Sequence, residues 1–532
     1  MVAAKQRVFL LSHEKSRKQN YCDFHFKKEV LSYMNRNVLQ YLEESASRFP
    51  ENCAMLDENR RYSYTQLLSK SRAIGSALCK RNVFACPVGV YGEKDCASLF
   101  AFFGIVYAGG FYCFLNPELP GSRLSQITAV LSPKLIITTS ALKDEAARIF
   151  PEFGLVTLEE LESEEICEEA LLSVRERSID TDPLYINFTS GSTGVPKGIV
   201  VAHRSVIDFI DCFTGTFGIN ETDVIANQAP FDFDVSVKDI YSALKTGAAI
   251  AVVPRKLFSV PTGLIDFLCE HKATVMIWAV SALCLLSTFH ALDYKTPETV
   301  RMILFSGEVM PNKALKNFRA HLPEAKYVNL YGPTEITCNC TYHILEPERD
   351  YSAGIPIGKP FLNEDVFLLD ENDKKVTKKE AVGEICVRGS ALALGYYSSP
   401  QQNELHFVQN PLNPYYPERI YRTGDLGRFD ENGDLFFCGR KDFQIKYMGH
   451  RIELEEIERE MGAIEGVERC CCIFDEKKSR LKGFYVGSID RVRLHEIMTK
   501  ELPSFMVPGI IRQLDEMPLT KNGKIDRKKL AE

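Results

Sequence analysis

The sequence predicts an α/β protein with a large N-terminal domain of mostly parallel sheets, a β-rich subdomain and a small C-terminal α+β domain. From about residue 60 to about residue 330, short Val- and Ile-rich runs alternate with helical stretches, a rhythm typical of parallel sheets covered by helices. After about residue 355, strands separated by Asp-, Asn- and Gly-rich turns replace this alternation. At 532 residues, the chain is also too long for one compact core.

Short apolar runs mark the predicted strands of the large domain. They are Pro87–Tyr91, Leu135–Thr139, Ala248–Val253, Thr274–Trp278, Met302–Phe305 and Tyr327–Leu330. An amphipathic helix is predicted to start within Tyr62–Leu67, with Ser63 or Thr65 as its N-cap. Further along, Phe367–Asp373 and Arg428–Asp434 have the turn chemistry of hairpins.

The chain is predicted to have three segments. Residues 1–36 are polar and basic and form an N-terminal extension, and residues 37–441 form the large domain. Residues 442–532 form the small domain, because a segment with its own helices and strands follows the turn-like Gly439-Arg-Lys-Asp442.

Composition and charge exclude several classes of protein. The net charge of -7 gives no electrostatic footprint for nucleic acid or for an anionic membrane. The residues Met1–Phe24 lack the apolar run of a signal peptide. The 17 cysteines are scattered without paired CxxC spacing, so we interpret them as reduced thiols of a cytoplasmic enzyme rather than as zinc ligands.

One uncharged stretch, Cys96–Pro117, has two interpretations. It is long enough to span a bilayer, which would make it a membrane helix. It also breaks at Ala108-Gly-Gly110, which favours a buried helix, a glycine turn and a buried strand. We therefore expect no membrane insertion.

A glycine-rich loop between two predicted strands has the composition of a phosphate-binding site. An apolar run, Leu184–Phe188, precedes the loop, and Gly198–Val201 reads as the return strand. Small residues let the backbone approach a ligand, and glycines allow turns that point successive N–H groups inward. The loop supplies donors at Thr189, Ser190, Ser192 and Thr193, glycines at Gly191 and Gly194, and a positive charge at Lys197. A flexible surface linker is the alternative interpretation.

Seven further motifs follow this loop. They are Phe305–Glu308, Asn329–Glu335, Gly383–Gly389, Tyr421–Gly427, Gly439–Asp442, Gly449–Leu454 and Asn522–Arg527. Taken together in this order, they resemble the adenylate-forming superfamily, which includes acyl-CoA synthetases, nonribosomal peptide adenylation domains and firefly-type luciferases. The resemblance covers nearly the whole chain beyond about residue 40. It implies that a carboxylate is joined to ATP with release of pyrophosphate and is then passed to a thiol.

The resemblance also implies how ATP and Mg²⁺ are bound. The loop from Thr189 to Lys197 would hold the β- and γ-phosphates, Tyr331 would stack on adenine, and Asp425, beside Arg440, would accept hydrogen bonds from the ribose hydroxyls. Glu335 would hold Mg²⁺ together with Thr193, since this ion prefers oxygen ligands. The implied ATP site is completed by Ser190, Gly191, Ser192, Gly194, Gly307, Glu308, Asn329, Gly332 and Thr334.

By the same resemblance, the small domain is mobile and carries a catalytic lysine. Lys524 would bridge the reacting carboxylate and the α-phosphate, where negative charge concentrates during the attack. Asp442 matches the hinge about which the small domain rotates, and Gly449 would line the tunnel for a pantetheine arm.

Asp234 distinguishes amino-acid substrates from fatty acids. The matching aspartate of peptide-synthetase adenylation domains pairs with the α-ammonium group of the substrate. A carboxylate that faces a pocket without a cation is costly, and an amino acid supplies that cation. The alternative is an aspartate that caps the following helix. The implied pocket also contains Val235, Lys238, Trp278, Leu304, Ser306, Leu330, Cys338 and Asn339.

Bulky pocket residues predict a small substrate. Trp278, Leu304 and Leu330 would leave room only for glycine or for alanine of either hand. The role of Lys238 is open, since it either turns outward or favours an acidic substrate side chain.

Two segments, Phe233–Tyr241 and Phe305–Asn312, resemble the D-alanine–carrier protein ligases, which load a small amino acid onto a carrier for cell-envelope decoration. Two departures touch the pocket: Ser306 replaces the usual cysteine, and Ala279–Ala282 lacks the usual proline. A glycine-activating relative of the lipid A type fits equally well.

We therefore expect a monomeric, ATP- and Mg²⁺-dependent amino acid–carrier protein ligase. Because no carrier domain follows Lys524 in the sequence, the thiol is expected from a separate phosphopantetheinylated carrier protein, or from coenzyme A. The product would serve cell-envelope or peptide modification. The alternatives are an acyl- or aryl-CoA ligase and a catalytically inactive scaffold. Lys524, Glu335 and Asp425 are all present, which disfavours the scaffold.

Overall fold

The structure is a computed structural model that describes residues 35–191, 195–475, 478–519 and 525–531. Its helices are α1 (Leu39–Arg48), α2 (Tyr64–Cys79), α3 (Cys96–Tyr107), α4 (Gly121–Leu131), α5 (Lys143–Ile149), α6 (Leu158–Glu162), α7 (Glu168–Arg177), α8 (His203–Phe217), α9 (Val235–Thr246), α10 (Pro261–Glu270), α11 (Val280–Thr288), α12 (Ala291–Tyr294), α13 (Asn312–His321), α14 (Pro400–His406), α15 (Leu454–Gly462), α16 (Arg491–Glu501) and α17 (Arg527–Ala531). Short 3₁₀ turns lie at Arg255–Ser259, Thr334–Ile336 and Ser504–Met506.

The strands of the large domain come first in the chain. They are β1 (Cys53–Leu56), β2 (Arg61–Ser63), β3 (Pro87–Tyr91), β4 (Phe111–Leu115), β5 (Ile136–Thr138), β6 (Leu155–Thr157), β7 (Pro183–Thr189), β8 (Lys197–Ala202), β9 (Val224–Asn227), β10 (Ala249–Val252), β11 (Val275–Ala279), β12 (Met302–Ser306), β13 (Lys326–Tyr331), β14 (Thr341–Ile344), β15 (Lys359–Pro360), β16 (Glu364–Leu369), β17 (Gly383–Gly389), β18 (Gly395–Tyr396), β19 (Phe407–Gln409), β20 (Arg419–Phe429) and β21 (Leu435–Arg440). The small domain adds β22 (Gln444–Tyr447), β23 (His450–Glu453), β24 (Val467–Asp475), β25 (Arg480–Gly487) and β26 (Ile510–Gln513).

Two sheets with parallel centres form the body of the large domain. A nine-stranded sheet has the order β15-β14-β13-β12-β11-β9-β10-β1-β2, and its central neighbours from β13 to β1 all pair in parallel. A seven-stranded sheet has the order β18-β8-β7-β4-β3-β5-β6, with antiparallel pairing only at β7–β8 and β8–β18. The apolar runs in the sequence arise because such strands are buried on both faces.

The β-rich subdomain and the small domain complete the fold. The subdomain is a five-stranded antiparallel sheet in the order β16-β17-β20-β19, with β21 paired to β20. The small domain contains the hairpin β22–β23 and a three-stranded sheet of β24, β25 and β26. These findings confirm the predicted fold class.

Several local predictions are confirmed in detail. Ser63 caps α2, accepts a hydrogen bond from the N–H of Gln66 and forms a capping box with it. The uncharged stretch Cys96–Pro117 is the buried helix α3, a turn at Ala108–Gly110 and the buried strand β4. Among the described residues, no helix is both long and apolar enough to cross a membrane.

The nine-stranded sheet separates two apolar cores, and this separation matters for the candidate site. On one face, which we call the α9 face, Leu304 and Leu330 pack with α9 and its neighbours. On the other, which we call the α10 face, Phe305 packs with α10, α11 and α13. Because side chains alternate along a strand, adjacent residues of β12 belong to different cores.

Candidate active site

The loop that is predicted to bind phosphate connects β7 to β8. Thr189 at the end of β7 pairs with Lys197 at the start of β8. A Cβ atom on Gly191 would lie 2.2 Å from the carbonyl oxygen of Val195, so only glycine fits there. Burial lowers the pKa of Lys197. Ser192, Thr193 and Gly194 lie outside the described residues.

Strand β23 of the small domain lies against this loop. The hydroxyl of Ser190 donates to the carbonyl oxygen of Arg451 at 2.7 Å and accepts from the N–H of Glu453 at 3.3 Å. A hydroxyl that was predicted to contact phosphate is therefore satisfied here by the backbone of the small domain.

Glu335 is buried beside the loop and is held by residues that the sequence analysis missed. Its carboxylate accepts hydrogen bonds from the hydroxyl of Tyr396 at 2.6 Å and from Nη1 of Arg451 at 3.0 and 2.9 Å. Burial alone would raise its pKa, but the charge of Arg451 and the Tyr396 hydroxyl hold that pKa at about 2. The motif Gly449–Leu454 contained the signal for Arg451, although only Gly449 received a role from it.

The chemistry of Glu335 fits the predicted Mg²⁺ site. A carboxylate with a pKa of about 2 is ionised at neutral pH and offers the hard oxygen ligands that this ion prefers. When bound there, Mg²⁺ would neutralise charge on the phosphates of ATP. In this structure both oxygens of Glu335 accept from Arg451 instead.

The residues predicted to bind adenosine lie together. Antiparallel pairing of β20 with β21 places Asp425 opposite Arg440, and the two side chains form an ion pair. The hydroxyl of Tyr331 donates to Oδ2 of Asp425 at 2.5 Å. Arg440 also donates to Asp442, the predicted hinge residue, at 2.6 and 2.8 Å. The predicted hinge residue is thereby connected to the predicted ribose-binding residue.

The remaining predicted ATP residues line the same region. Gly307 has a φ of +96°, which favours glycine, and the next residue, Glu308, accepts a hydrogen bond from the N–H of Gly449 at 2.8 Å. Asn329 donates to the carbonyl oxygen of Pro356 at 2.8 Å. A Cβ atom on Gly332 would lie 2.5 Å from Cα of Asn339, so the chain passes too closely there for any side chain.

Lys446 is a second functional candidate that the sequence analysis did not name. Its Nζ lies 5.6 Å from the centre of the Tyr331 ring. Burial lowers its pKa, and the nearby negative charge of Asp425 opposes that shift. An ammonium group thus lies beside the predicted adenosine site when β22 and β23 dock there.

Asp234 is buried immediately before α9, as an ammonium anchor would be. Its side chain makes no capping hydrogen bond to α9, so it does not have the alternative role of a helix cap. Burial raises its pKa, while the charge of Lys238 and a hydrogen bond from Thr334 oppose the shift. The carbonyl oxygen of Asp234 accepts from the thiol of Cys338 at 3.0 Å, which joins two predicted pocket residues.

Lys238 points inward and not toward solvent. The residue is fully buried, and its Nζ donates to Oδ1 of Asn339 at 2.6 Å. Val235, one turn earlier, is half-buried at the start of α9. One of the two interpretations left open for Lys238, an outward side chain, is therefore excluded.

Trp278 does not close the pocket, and that prediction is wrong. Its indole is buried on the α10 face, where it packs against Phe258 at 5.7 Å and donates to the carbonyl oxygen of Ala226 at 2.8 Å. The next residue, Ala279, pairs with Ser306, which is predicted to line the pocket. A one-residue offset along a strand exchanges its faces, so Ile277 and Ala279, on either side of Trp278, lie on the α9 face instead.

Gly449 lies beside Ala279, at the end of β11. A Cβ atom built on it would lie 3.4 Å from Cβ of Ala279. The predicted tunnel residue and the end of β11 are therefore neighbours. Lys524 lies outside the described residues, but Leu519 and Ile525 on either side of it pair with each other as an isolated bridge.

Comparison with known proteins identifies the class. The AMP-binding enzyme family matches residues 42–397, and the AMP-binding enzyme C-terminal domain matches residues 456–524. The chain therefore belongs to the AMP-binding enzyme family, and it is an adenylate-forming enzyme with the fold of peptide-synthetase adenylation domains. This confirms the predicted superfamily.

Individual relatives narrow the comparison. The chain is 32% identical over 513 residues to the zwittermicin A synthase ZmaJ of Bacillus cereus, covering 94% of this chain and 95% of that protein. It is 31% identical to tyrocidine synthase 1 of Brevibacillus parabrevis, covering 93% of this chain but only 45% of that protein. The chain thus spans less than half of the length of several peptide synthetases that it matches.

Solved structures agree with this assignment. A structure of holo-PA1221, a nonribosomal peptide synthetase protein with adenylation and PCP domains, superposes with a TM-score of 0.80 at 25% identity, covering 94% of this chain and 84% of that one. The structure of IdnL1 superposes with a TM-score of 0.79 at 26% identity, covering 91% and 98%.

Proposed function

We propose that this enzyme adenylates a small α-amino acid with release of pyrophosphate and then transfers the aminoacyl group to the phosphopantetheine thiol of a separate carrier protein. The observation that carries the proposal is Asp234, a buried carboxylate that caps no helix. The α-ammonium group of an amino acid would supply its missing ion pair through a charge-assisted hydrogen bond.

In the first step, an oxygen of the amino acid carboxylate attacks the α-phosphorus of ATP, and pyrophosphate leaves. In the second, the thiol sulfur attacks the acyl carbon and loses its proton to solvent, while AMP leaves with the electrons of the broken C–O bond. Asp425 and Arg440 would hold the ribose through both steps. Lys446, beside Tyr331, would stabilise negative charge on the departing AMP when the small domain is docked as it is here.

The predicted preference for glycine or alanine has lost part of its support. It rested partly on Trp278, whose side chain faces the other core. Leu304 and Leu330 remain buried on the α9 face, and they still favour a short side chain. The likeness to D-alanine–carrier protein ligases supports a product used in cell-envelope or peptide modification.

Amino-acid-dependent exchange of pyrophosphate into ATP tests the first step. Glycine, L-alanine, D-alanine, aspartate and a fatty acid should be compared on the purified chain. We expect exchange with at least one amino acid and none with the fatty acid. Exchange with the fatty acid alone would contradict the proposal and favour an acyl-CoA ligase.

The Asp234→Asn substitution tests the anchor itself. It should raise KM for the amino acid by about 10-fold to 100-fold, which corresponds to the free energy of one charge-assisted hydrogen bond. KM for ATP should be nearly unchanged. Asp211→Asn is the matched control, because Asp211 pairs with Lys245 at the surface. Transfer to a phosphopantetheinylated carrier, compared with transfer to coenzyme A, tests the second step.

A further inference from the structure

Lys238 is a buried cation on the same helical face as the proposed ammonium anchor. It follows Asp234 by four residues at the start of α9, so the two side chains lie one helical turn apart. The residue has no solvent exposure. An ammonium group placed in this way must be compensated by an anion or by several hydrogen-bond acceptors.

The protein supplies only a small part of that compensation. An ammonium group has three donors, and Nζ of Lys238 uses one of them, to Oδ1 of Asn339 at 2.6 Å. Within the described ranges, no carboxylate forms an ion pair with it. Burial lowers the pKa of Lys238, and the neighbouring Cys338, Asp234 and Asp239 oppose that shift in this order.

Another buried lysine shows what full compensation looks like in this chain. Nζ of Lys94 donates to three backbone carbonyl oxygens, those of Asn227, Gln228 and Val253, at 2.8 to 3.0 Å. All three donors of Lys94 are therefore used by the protein. Lys238 differs because two of its donors have no partner among the described residues, and it lies among predicted pocket residues.

We propose that Lys238 binds the side-chain carboxylate of the substrate, so that this enzyme activates a short acidic amino acid, aspartate or glutamate. The inference rests on the proposed function, since it assumes that an amino acid occupies the pocket.

The charges of such a substrate match those of the site. Its α-ammonium group would pair with Asp234, and its side-chain carboxylate would pair with Lys238. The α-carboxylate would stay free to attack ATP. Glycine or alanine would satisfy Asp234 but would leave the two free donors of Lys238 without a partner, and a buried ion pair that lacks one member is strongly disfavoured.

Matched acid and amide pairs test the charge specifically. Pyrophosphate exchange should be measured with aspartate against asparagine and with glutamate against glutamine, beside glycine and alanine. We expect one acid to exceed its own amide by about 100-fold in kcat/KM, because a site built for a charged partner rejects the uncharged isostere. Glycine and alanine should be poorer still.

Lys238→Met tests the residue. The substitution keeps the length of the side chain and removes its charge, so kcat/KM for the acid should fall by about 100-fold, while that for the amide changes by less than about fivefold. A merely structural role would lower all substrates together. Lys245→Met, on the same helix and at the surface, is the control and should keep the acid preference.

Asn339→Asp provides a second variant that keeps Lys238. A carboxylate at the position of Oδ1 would pair internally with Nζ, and the preference should then shift from the acid toward its amide or alanine. If glycine or alanine drives exchange in the wild-type enzyme and neither acid does, this inference falls while the proposed function stands. If no amino acid drives exchange, the proposed function itself fails.

Discussion

The guanidinium group of Arg451, on β23 of the small domain, donates to both carboxylate oxygens of Glu335 in the large domain, at 3.0 and 2.9 Å. Both residues are buried or nearly so, with side-chain exposures of 16% and 1%. The position predicted for Mg²⁺ is therefore occupied by a cation of the protein itself. We therefore predict that the docked small domain and Mg²⁺-bound ATP compete for the same carboxylate.

Arg451→Met should separate the two half-reactions. Without its ion pair to Glu335, the docked arrangement loses a buried charge-assisted contact, so thiol transfer should slow by at least about 10-fold. The exchange reaction should keep its rate, and KM for ATP should stay the same or fall. Both steps can be followed on one preparation, by pyrophosphate exchange and by single-turnover loading of a carrier.

Arg493→Met is a suitable control, since Arg493 pairs with Glu496 on the exposed surface of α16. Equal slowing of exchange and transfer by Arg451→Met would contradict the competition between Arg451 and Mg²⁺.

Gly449→Leu should block thiol transfer and spare adenylation. A side chain at Gly449 would project toward Ala279, whose Cβ lies 3.4 Å from the position of a Cβ on residue 449. It would therefore fill the predicted tunnel for the pantetheine arm. We expect carrier loading to fall by more than about 100-fold, because the thiol could no longer reach its reacting position. The rate of pyrophosphate exchange should stay within about fivefold of the wild-type rate.

Gly433→Leu controls for backbone strain in that experiment. Gly433 has a φ of +83°, nearly that of Gly449 at +82°, but no atom lies within 4 Å of a Cβ added there. Both substitutions therefore carry a similar conformational cost, of about 1–2 kcal/mol, and only one of them can obstruct the site. Loss of transfer in both variants would mean that strain is the cause.

Lys524→Ala should reduce adenylation about 100-fold to 1,000-fold, corresponding to about 3–4 kcal/mol in the transition state. This prediction comes from the resemblance, because Lys524 lies outside the described residues. Transfer from a preformed aminoacyl-adenylate should be unaffected. Lys521→Ala, in the same terminal segment, is the control and should leave both steps intact. If Lys524→Ala slowed the transfer step, the assignment of this lysine to adenylation would be wrong.

Low pH should destabilise the docked position of the small domain, because His450 would become protonated while it is buried there. Its ring stacks on Phe505 at 3.6 Å, contacts Phe233 edge-on at 4.9 Å, and burial lowers its pKa from 6.5 to about 4, with the charge of Arg255 acting in the same direction. Between pH 6.5 and about pH 4, the docked state therefore binds fewer protons than the undocked state. Its contribution is complete above pH 6.5 and is lost as the pH falls toward 4.

We therefore expect thiol transfer to decline more steeply than pyrophosphate exchange between pH 6.5 and 4.5. His450→Phe keeps the aromatic contacts and removes the titration, so the difference between the two pH profiles should disappear. Identical profiles in the wild-type enzyme would exclude His450 as the cause.

Local features of this protein were readable from the sequence alone. Ser63 caps α2 through a capping box with Gln66, three residues later. Each side chain accepts a hydrogen bond from the backbone N–H of the other residue, so the motif is entirely local. The strands β7 and β8 follow from two apolar runs on either side of a stretch of small residues. The order of the motifs identified the superfamily, because each motif is a short contiguous segment whose residue types can be read without knowledge of the fold.

The tertiary structure decided which side chains meet and which way they face. The sequence placed Trp278 in a strand but on the wrong side of it, since one residue of offset reverses the faces of a strand. Lys238 was identified, but only packing determined that it points inward to Asn339. Arg451 and Glu335 are 116 residues apart, and their contact depends on how the small domain docks. Such long-range contacts depend on the packing of whole elements, which no local pattern encodes.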